Sequence, residues 1–117
     1  MVSAQTPSGA ETAWLTLPDL VEVLGEPLGR VRRLIDDAHL IGSRRSGPFA
    51  VPAVFVVDGR PLASLRGTVF ALRDAGLTDD EAIDWLLAVD DTIGVPPIAA
   101  LRAGRKSEVR RVARILG

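Results

Sequence analysis

Two amphipathic helical patterns that lie almost back to back constrain this fold more than any other feature of the sequence. Apolar residues recur at helical spacing from Leu17 to Leu24 and again from Leu28 to Ile35, with only Gly25-Glu26-Pro27 between them. Because the connection is so short, the two helices must turn sharply and pack on each other. Two packed helices joined by a tight glycine-containing turn are typical of the helix-turn-helix arrangement.

Local signals define the ends of these helices. Thr16 and Asp19 have the spacing of a capping box, in which the hydroxyl accepts the amide of Asp19 and the carboxylate reaches back. Gly25 ends the first helix. The second helix, from Leu28 to Asp37, is the predicted recognition helix, and Leu28, Val31, Leu34 and Ile35 form its apolar face.

The hydrophobic pattern changes after the second helix and predicts a wing. Residues 40–52 have two short apolar ends around a tip of Ser, Arg, Gly and Pro, which indicates a small β-hairpin. The apolar run Ala53–Val57 fits a buried strand or a helical turn equally well. Asp58-Gly59 and Pro61 then supply turn residues, and we place a domain boundary there.

Four further short helices are predicted beyond this boundary. They begin near Ser64, after a second capping box of Thr78 and Glu81, at Pro96-Pro97 and near Lys106. The last is expected to extend to Leu116, with apolar residues inward and arginines outward. These residues are, inward, Val109, Val112, Ala113 and Leu116, and outward, Arg110, Arg111 and Arg114.

The predicted fold is therefore mainly α. A winged helix-turn-helix, made of two helices and a small β-hairpin wing, is followed by a C-terminal bundle of about four short helices. The predicted division is a flexible tail over residues 1–13, a DNA-binding winged helix-turn-helix over residues 14–58 and a C-terminal helical domain over residues 59–117.

Composition excludes several classes of function. The chain has no cysteine, so it cannot be a disulfide scaffold or a thiol enzyme, and its one histidine, His39, cannot form a His-based metal cluster. It also has no nucleophile motif, no glycine-rich phosphate loop and no apolar run near the roughly 20 residues that cross a bilayer. Its first ten residues lack the basic and apolar regions that are typical of a signal peptide. We expect a cytoplasmic protein, away from membranes, that is not an enzyme and holds no metal or cofactor; if it binds DNA, its place is at the nucleoid.

The outer face of the second helix carries the first candidate DNA contacts. At about 100° per residue, the face opposite Val31 holds Gly29 and Arg33, with Arg30 at its margin. Outward residues near the N-terminus of a recognition helix reach base edges in the major groove, where arginine bonds guanine bidentately. Gly29 presents no side chain, so the helix backbone can approach the groove closely.

The wing tip supplies the other two primary candidates, Arg44 and Arg45, which are placed to meet phosphate or to enter the minor groove. Arg32, Arg105 and Lys106 are candidates for secondary phosphate contacts. The basic residues of the last helix also fit a solvated face or a site for an anionic partner. Residues 1–58 hold 5 arginines against 7 acidic residues, so we expect modest affinity from a monomer, which a homodimer would raise.

These segments resemble a known family. Trp14 to Gly25, followed by Arg30 to Ile35, is similar to the winged helix-turn-helix of the MerR/excisionase type. Over Trp14 to Leu116, about nine-tenths of the chain, the sequence resembles a small actinobacterial family that joins such a winged helix to a C-terminal helical domain. The motifs that carry this likeness include His39-Leu40, Arg44-Arg45, Val51-Pro52, Leu65-Arg66-Gly67-Thr68, Asp74-Ala75-Gly76, Trp85-Leu86 and Glu108-Val109-Arg110-Arg111.

The resemblance implies duplex DNA binding through the residues that match the recognition helix and wing, which are Gly29, Arg30, Arg33, Arg44 and Arg45. It also implies a role as a transcription regulator or a nucleoid-associated factor. The chain departs from the family pattern at Pro27, where a Ser or Thr cap is common, and at Gly29, where a polar residue is common.

The C-terminal half supports an alternative function. Glu81 to Leu86 and Pro96 to Leu101 are similar to the toxin-binding domain of Xre/ParS-type antitoxins. On this hypothesis the protein is an adaptor that binds a protein partner and has little affinity for DNA. A helical cap or a dimerisation surface is the other interpretation of the same helices.

Hydroxyl groups in the N-terminal tail suggest one more partner. Ser3, Thr6, Ser8 and Thr12 are expected to be accessible to a kinase. Phosphorylation beside the DNA-binding residues would add negative charge and weaken binding, which is a hypothesis from exposure alone.

Overall fold

The computed structural model of the protein describes residues 12–116, so Ser3, Thr6 and Ser8 lie outside the described residues. The elements are β1 (Trp14–Thr16), α1 (Leu17–Leu24), α2 (Leu28–Asp36), β2 (Ala50–Pro52), a 3₁₀ turn (Ala53–Phe55), β3 (Val56–Val57), β4 (Arg60–Pro61), α3 (Leu65–Asp74), α4 (Asp79–Leu87), α5 (Pro97–Arg102) and α6 (Lys106–Arg114). None of the helices within residues 12–116 is both long enough and apolar enough to cross a membrane.

The helix-turn-helix is confirmed, together with the local signals that predicted it. The Thr16 amide donates to Asp19 Oδ2 at 3.0 Å, and the Asp19 amide donates to Thr16 Oγ1 at 3.4 Å. Gly25 ends α1 in the left-handed conformation, at φ 65°. One detail was wrong, because Leu28 lies at the protruding first turn of α2 and is 42% exposed rather than part of the buried face.

The wing is smaller than the predicted hairpin and depends on a strand that the sequence did not reveal. Within residues 40–52, the two sides of the wing pair only at Ser43 and Ala50, whose amides donate to each other's carbonyls at 2.9 and 3.0 Å. On its other side β2 pairs antiparallel with β1, in the register Leu15 to Val51. The base of the wing is therefore anchored on the segment that leads into α1.

The apolar run after β2 proves to contain both predicted structures. Ala53–Phe55 is the 3₁₀ turn, and Val56–Val57 is a strand that pairs with β4. Asp58 and Gly59 join the strands at φ 53° and 75°, as a two-residue hairpin turn requires. The turn at Asp58-Gly59 was predicted, but the β3–β4 hairpin that it closes was not.

Four helices follow, as predicted, but the last one differs in detail. Thr78 and Glu81 make the expected capping box at 2.9 and 3.2 Å. Helix α6 ends at Arg114, which leaves Leu116 40% exposed instead of buried. Arg110, predicted to point outward, is half-buried against α3, where its Nη2 donates to the Ser64 carbonyl at 3.2 Å. Gly67 provides the space for it, since a Cβ atom there would lie 2.5 Å from Nη2.

One hydrophobic core runs through both halves of the protein. It includes Leu20 and Val31 from the winged helix and Leu86 and Val109 from the C-terminal helices. Phe55 is fully buried in this core. Polar links cross between the halves as well: Arg66 Nε donates to the Asp37 carbonyl at 2.7 Å, and Arg102 Nη1 donates to the carbonyls of Val54 and Val56 at 2.9 and 3.3 Å.

Candidate nucleic-acid interface

The outer face of α2 presents the predicted side chains to solvent. Gly29, Arg30 and Arg33 are exposed, and the guanidinium groups form no ion pair with any residue between 12 and 116. A Cβ atom at Gly29 would meet nothing within 4 Å. No neighbouring atom therefore requires a glycine at position 29. The backbone of the first turn of α2 is open to a ligand.

A cleft on one side of α2 brings the helix and the wing together. This cleft has a volume of about 410 Å³, and its lining includes Arg32 from α2, Arg44 and Phe49 from the wing, and Asp36. The Cζ atom of Arg44 lies 5.8 Å from the centroid of the Phe49 ring. Arg32, predicted only as a secondary contact, thus shares a cleft with a primary candidate.

A second cleft lies on the opposite side of α2 and contains an arginine that sequence reasoning missed. Its volume is about 500 Å³, and its lining includes Arg30, His39 and Arg60, together with the carboxylate residue Glu26. Arg60 is exposed and follows the Asp58-Gly59 turn. That turn was the available signal, because a two-residue hairpin places the next side chain at an exposed tip.

Two other predicted DNA contacts, Arg45 and Arg105, form ion pairs within the protein instead of facing the clefts beside α2. The guanidinium of Arg45 contacts α4, with Nη1 2.7 Å from Asp84 Oδ1 and Nη2 3.1 Å from Asp80 Oδ1. Arg105 contacts Glu108 at 2.8 Å and donates to the Ile93 carbonyl at 3.2 Å. Lys106 is exposed at the start of α6. Neither Arg105 nor Lys106 lines the clefts beside α2.

The charge arrangement at α2 suits an extended polyanion better than a small ligand. Arg33 lies on the outer face, Arg32 and Arg44 share the cleft on one side, and Arg30 and Arg60 share the cleft on the other. Asp36 and Glu26 each contribute one carboxylate to a cleft, which moderates the local positive potential. Across residues 12–116, no group of three or more His, Cys, Asp or Glu side chains is placed to hold a metal ion.

Comparisons with known proteins agree with this architecture. Residues 8–56 match the family described as "DNA-binding protein Rv2175c, wHTH domain", and residues 62–117 match "Rv2175c C-terminal domain of unknown function". The chain is 31% identical over 113 residues to DNA-binding protein Rv2175c of Mycobacterium tuberculosis (strain ATCC 25618 / H37Rv). That alignment covers 86% of this chain and 77% of the relative.

The solved structures include a similar fold. The NMR structure of Rv2175c superimposes with a TM-score of 0.81 and 28% sequence identity, and the superposition covers 94% of this chain and 84% of that one. The sequence match and the structural match both extend across the two halves of the protein. The chain therefore belongs to the Rv2175c family and has that family's winged helix-turn-helix domain, followed by its C-terminal domain.

Proposed function

We propose that this protein binds duplex DNA, with the N-terminal turns of α2 in the major groove and the wing on the flanking phosphates. The observation that carries the proposal is the set of free arginines around α2. Arg33 points outward and a cleft with two arginines lies on each side. Most arginines elsewhere in the fold donate hydrogen bonds within the protein instead, namely Arg45, Arg66, Arg73, Arg102, Arg105 and Arg110. The name of the curated relative supports the same function.

The geometry suggests a division of roles among these residues. Arg33 and Arg30, near the open backbone of Gly29, are assigned to base edges, where the arginine fork distinguishes guanine. Arg32, Arg44 and Arg60 at the sides of α2 are assigned to phosphates, which position the protein without reading sequence. Three phosphate contacts imply that the logarithm of the affinity falls with the logarithm of salt concentration with a slope of about −3.

Fluorescence anisotropy with labelled duplex DNA at several salt concentrations tests this proposal. We expect Arg33→Ala to weaken binding at a preferred site about 5- to 150-fold, the loss typical of one guanine contact. Arg44→Gln should weaken binding to all sequences and reduce the steepness of the salt slope by about 0.9. Arg111→Gln, which removes the same charge from an exposed position on α6, serves as the control and should have little effect. A folded wild-type protein that does not bind at low salt would refute the proposal.

The second prediction is that Gly29→Ala raises the stability of the protein and lowers its affinity for DNA. The added methyl group meets open space in the free protein, and alanine favours the helix, so the free energy of unfolding should rise by up to about 1 kcal/mol. DNA affinity should fall several-fold, because the methyl group occupies the space through which the backbone approaches the groove. Urea denaturation and anisotropy measure the two effects, and unchanged affinity would place Gly29 outside the interface.

Finer roles are part of the same proposal. We assign the protein to transcription regulation or nucleoid association, with a winged helix of the MerR/excisionase type at residues 14–58 and a helical domain at residues 59–117. A homodimer would compensate for the small number of phosphate contacts. A protein partner of the C-terminal helices and a kinase that acts on the tail stay predictions.

A further inference from the structure

We propose that the C-terminal domain holds the wing in its binding position through Arg45, which acts as a positioning residue rather than as a DNA contact. The inference rests on the proposed DNA binding. It gives a role to α4, whose sequence predicted only a helical cap, a dimerisation surface or a protein-binding surface. Arg45, Asp80 and Asp84 form the contact, which we call the wing latch.

The outer end of the latch joins the wing to α4 through three hydrogen bonds. Nη1 of Arg45 donates to Asp84 Oδ1 at 2.7 Å, while Nη2 donates to both Oδ1 and the backbone carbonyl of Asp80 at 3.1 Å. The two carboxylates lie 35 and 39 residues along the chain from Arg45. A single side chain therefore connects the wing to a helix of the other half.

The inner end of the latch fastens Arg45 to the base of the wing. Ser43 Oγ accepts hydrogen bonds from the Arg45 amide at 3.0 Å and from Arg45 Nε at 3.2 Å. Ser43 is buried and forms the backbone pair with Ala50. The Arg45 guanidinium also lies over Trp14, with Cζ 5.5 Å from the ring centroid. The side chain thus bridges β1, the base of the wing and α4.

These contacts leave Arg45 poorly suited to bind phosphate. Four of its five guanidinium N–H groups donate within the protein, so a phosphate that bound it bidentately would have to displace a carboxylate that already neutralises the charge. The hydrogen bond with Asp84 raises the pKa of Arg45, and those with Ser43 and Arg45 lower the pKa of Asp80. Both groups are therefore held in their charged forms.

The latch affects DNA binding through the neighbouring residue. Arg44 precedes Arg45 directly and lines the cleft with Arg32. Because the Arg45 backbone and side chain are both fastened, the Arg44 backbone is held at a defined distance from α2. Without the latch, the two sides of the wing within residues 40–52 are joined by one backbone pair, Ser43–Ala50, and Arg44 would sample more positions before it met a phosphate.

Amide hydrogen exchange of the free protein tests the latch independently of DNA. We expect Arg45→Gln and Asp84→Asn to speed exchange several-fold at the amides of residue 45 and Gly47, the second of which donates to the Arg44 carbonyl at 3.0 Å. Asp79→Asn is the matched control, since it makes the same charge change on α4 but breaks a contact with Arg73. Unchanged exchange in both latch variants would overturn the proposal.

Salt-dependent DNA binding then separates positioning from direct contact. If Arg45 positions the wing, both Arg45→Gln and Asp84→Asn lower affinity several-fold and leave the salt slope as in the wild type. If Arg45 instead contacts phosphate, Asp84→Asn frees it and raises affinity, while Arg45→Gln reduces the steepness of the slope by about 0.9. That second pattern would overturn the proposal. A wild-type protein that does not bind DNA would overturn the DNA-binding proposal and the positioning role with it, whereas the exchange data would still report whether the latch exists.

Discussion

Phe55→Ala is expected to lower the free energy of unfolding by about 3–5 kcal/mol, the loss typical of a fully buried phenylalanine. Phe55 has no exposed surface, and the carbonyls on either side of it accept hydrogen bonds from Arg102 of α5. A cavity here would open the core where the two halves meet. Since small proteins are stable by only about 5–15 kcal/mol, this one change should remove a large share of the total.

Urea denaturation measures this loss, and Val89→Ala, at a position 64% exposed, is the control that should change stability by less than about 0.5 kcal/mol. The chain has two tryptophans, Trp14 in β1 and Trp85 in α4, so single-tryptophan variants report each half separately. Because the core is shared, both probes should show one coincident transition, in the wild type and in Phe55→Ala. Two separate transitions would show that the halves fold independently.

Gly42→Ala is the second large effect, with an expected loss in the free energy of unfolding of about 1–3 kcal/mol, the usual cost of overpacking. A Cβ atom at Gly42 would lie 2.5 Å from the Ala50 carbonyl oxygen and 2.5 Å from the Phe49 ring. The carbonyl belongs to the backbone pair at the base of the wing, so the strand itself would have to move. Amide exchange at Ser43 and Ala50 should accelerate in the same variant.

Gly29→Ala is the matched control for this prediction, because the identical chemical change is made in open space. The two substitutions should therefore move the free energy of unfolding in opposite directions. Equal small effects of both variants would mean that the wing base can adjust without loss, and would contradict the tight packing described for Gly42.

The parts of the fold that sequence could predict are those whose cause is local. The capping boxes at Thr16 and Thr78 need only residues three positions apart, and both are present in the structure. The left-handed turn at Gly25 depends on one residue without a Cβ atom. Helical periodicity likewise needs only a short window, which is why the six helices between residues 12 and 116 lie where predicted.

The parts that could not be predicted depend on distant partners. Trp14–Thr16 has no strand signal of its own and becomes β1 only because β2, 36 residues or so further on, pairs with it. Arg110 fits an outward helical position until Gly67 on another helix provides space for it. In both cases the contact that decides the structure joins residues too far apart along the chain for a local sequence pattern to reveal it.

The candidate site shows the same distinction. Helical geometry alone places Arg30, Arg32 and Arg33 around the outer surface of α2. The adjacent arginines of the wing look equivalent in sequence, yet Arg44 lines the cleft while Arg45 reaches α4. Charge pattern identifies which residues are cationic, and only the arrangement of the chain decides which cations remain free for a ligand.

The shared core has a consequence for how the protein is made. The N-terminal half of a chain emerges from the ribosome first, and in many proteins it folds before the rest has been synthesised. Here a nascent chain that ends at Phe55 lacks α5, whose Arg102 binds the carbonyls around that ring, and lacks the α4 carboxylates that hold Arg45. The surface around α2 should therefore reach its final arrangement late in synthesis, after α4 and α5 have emerged.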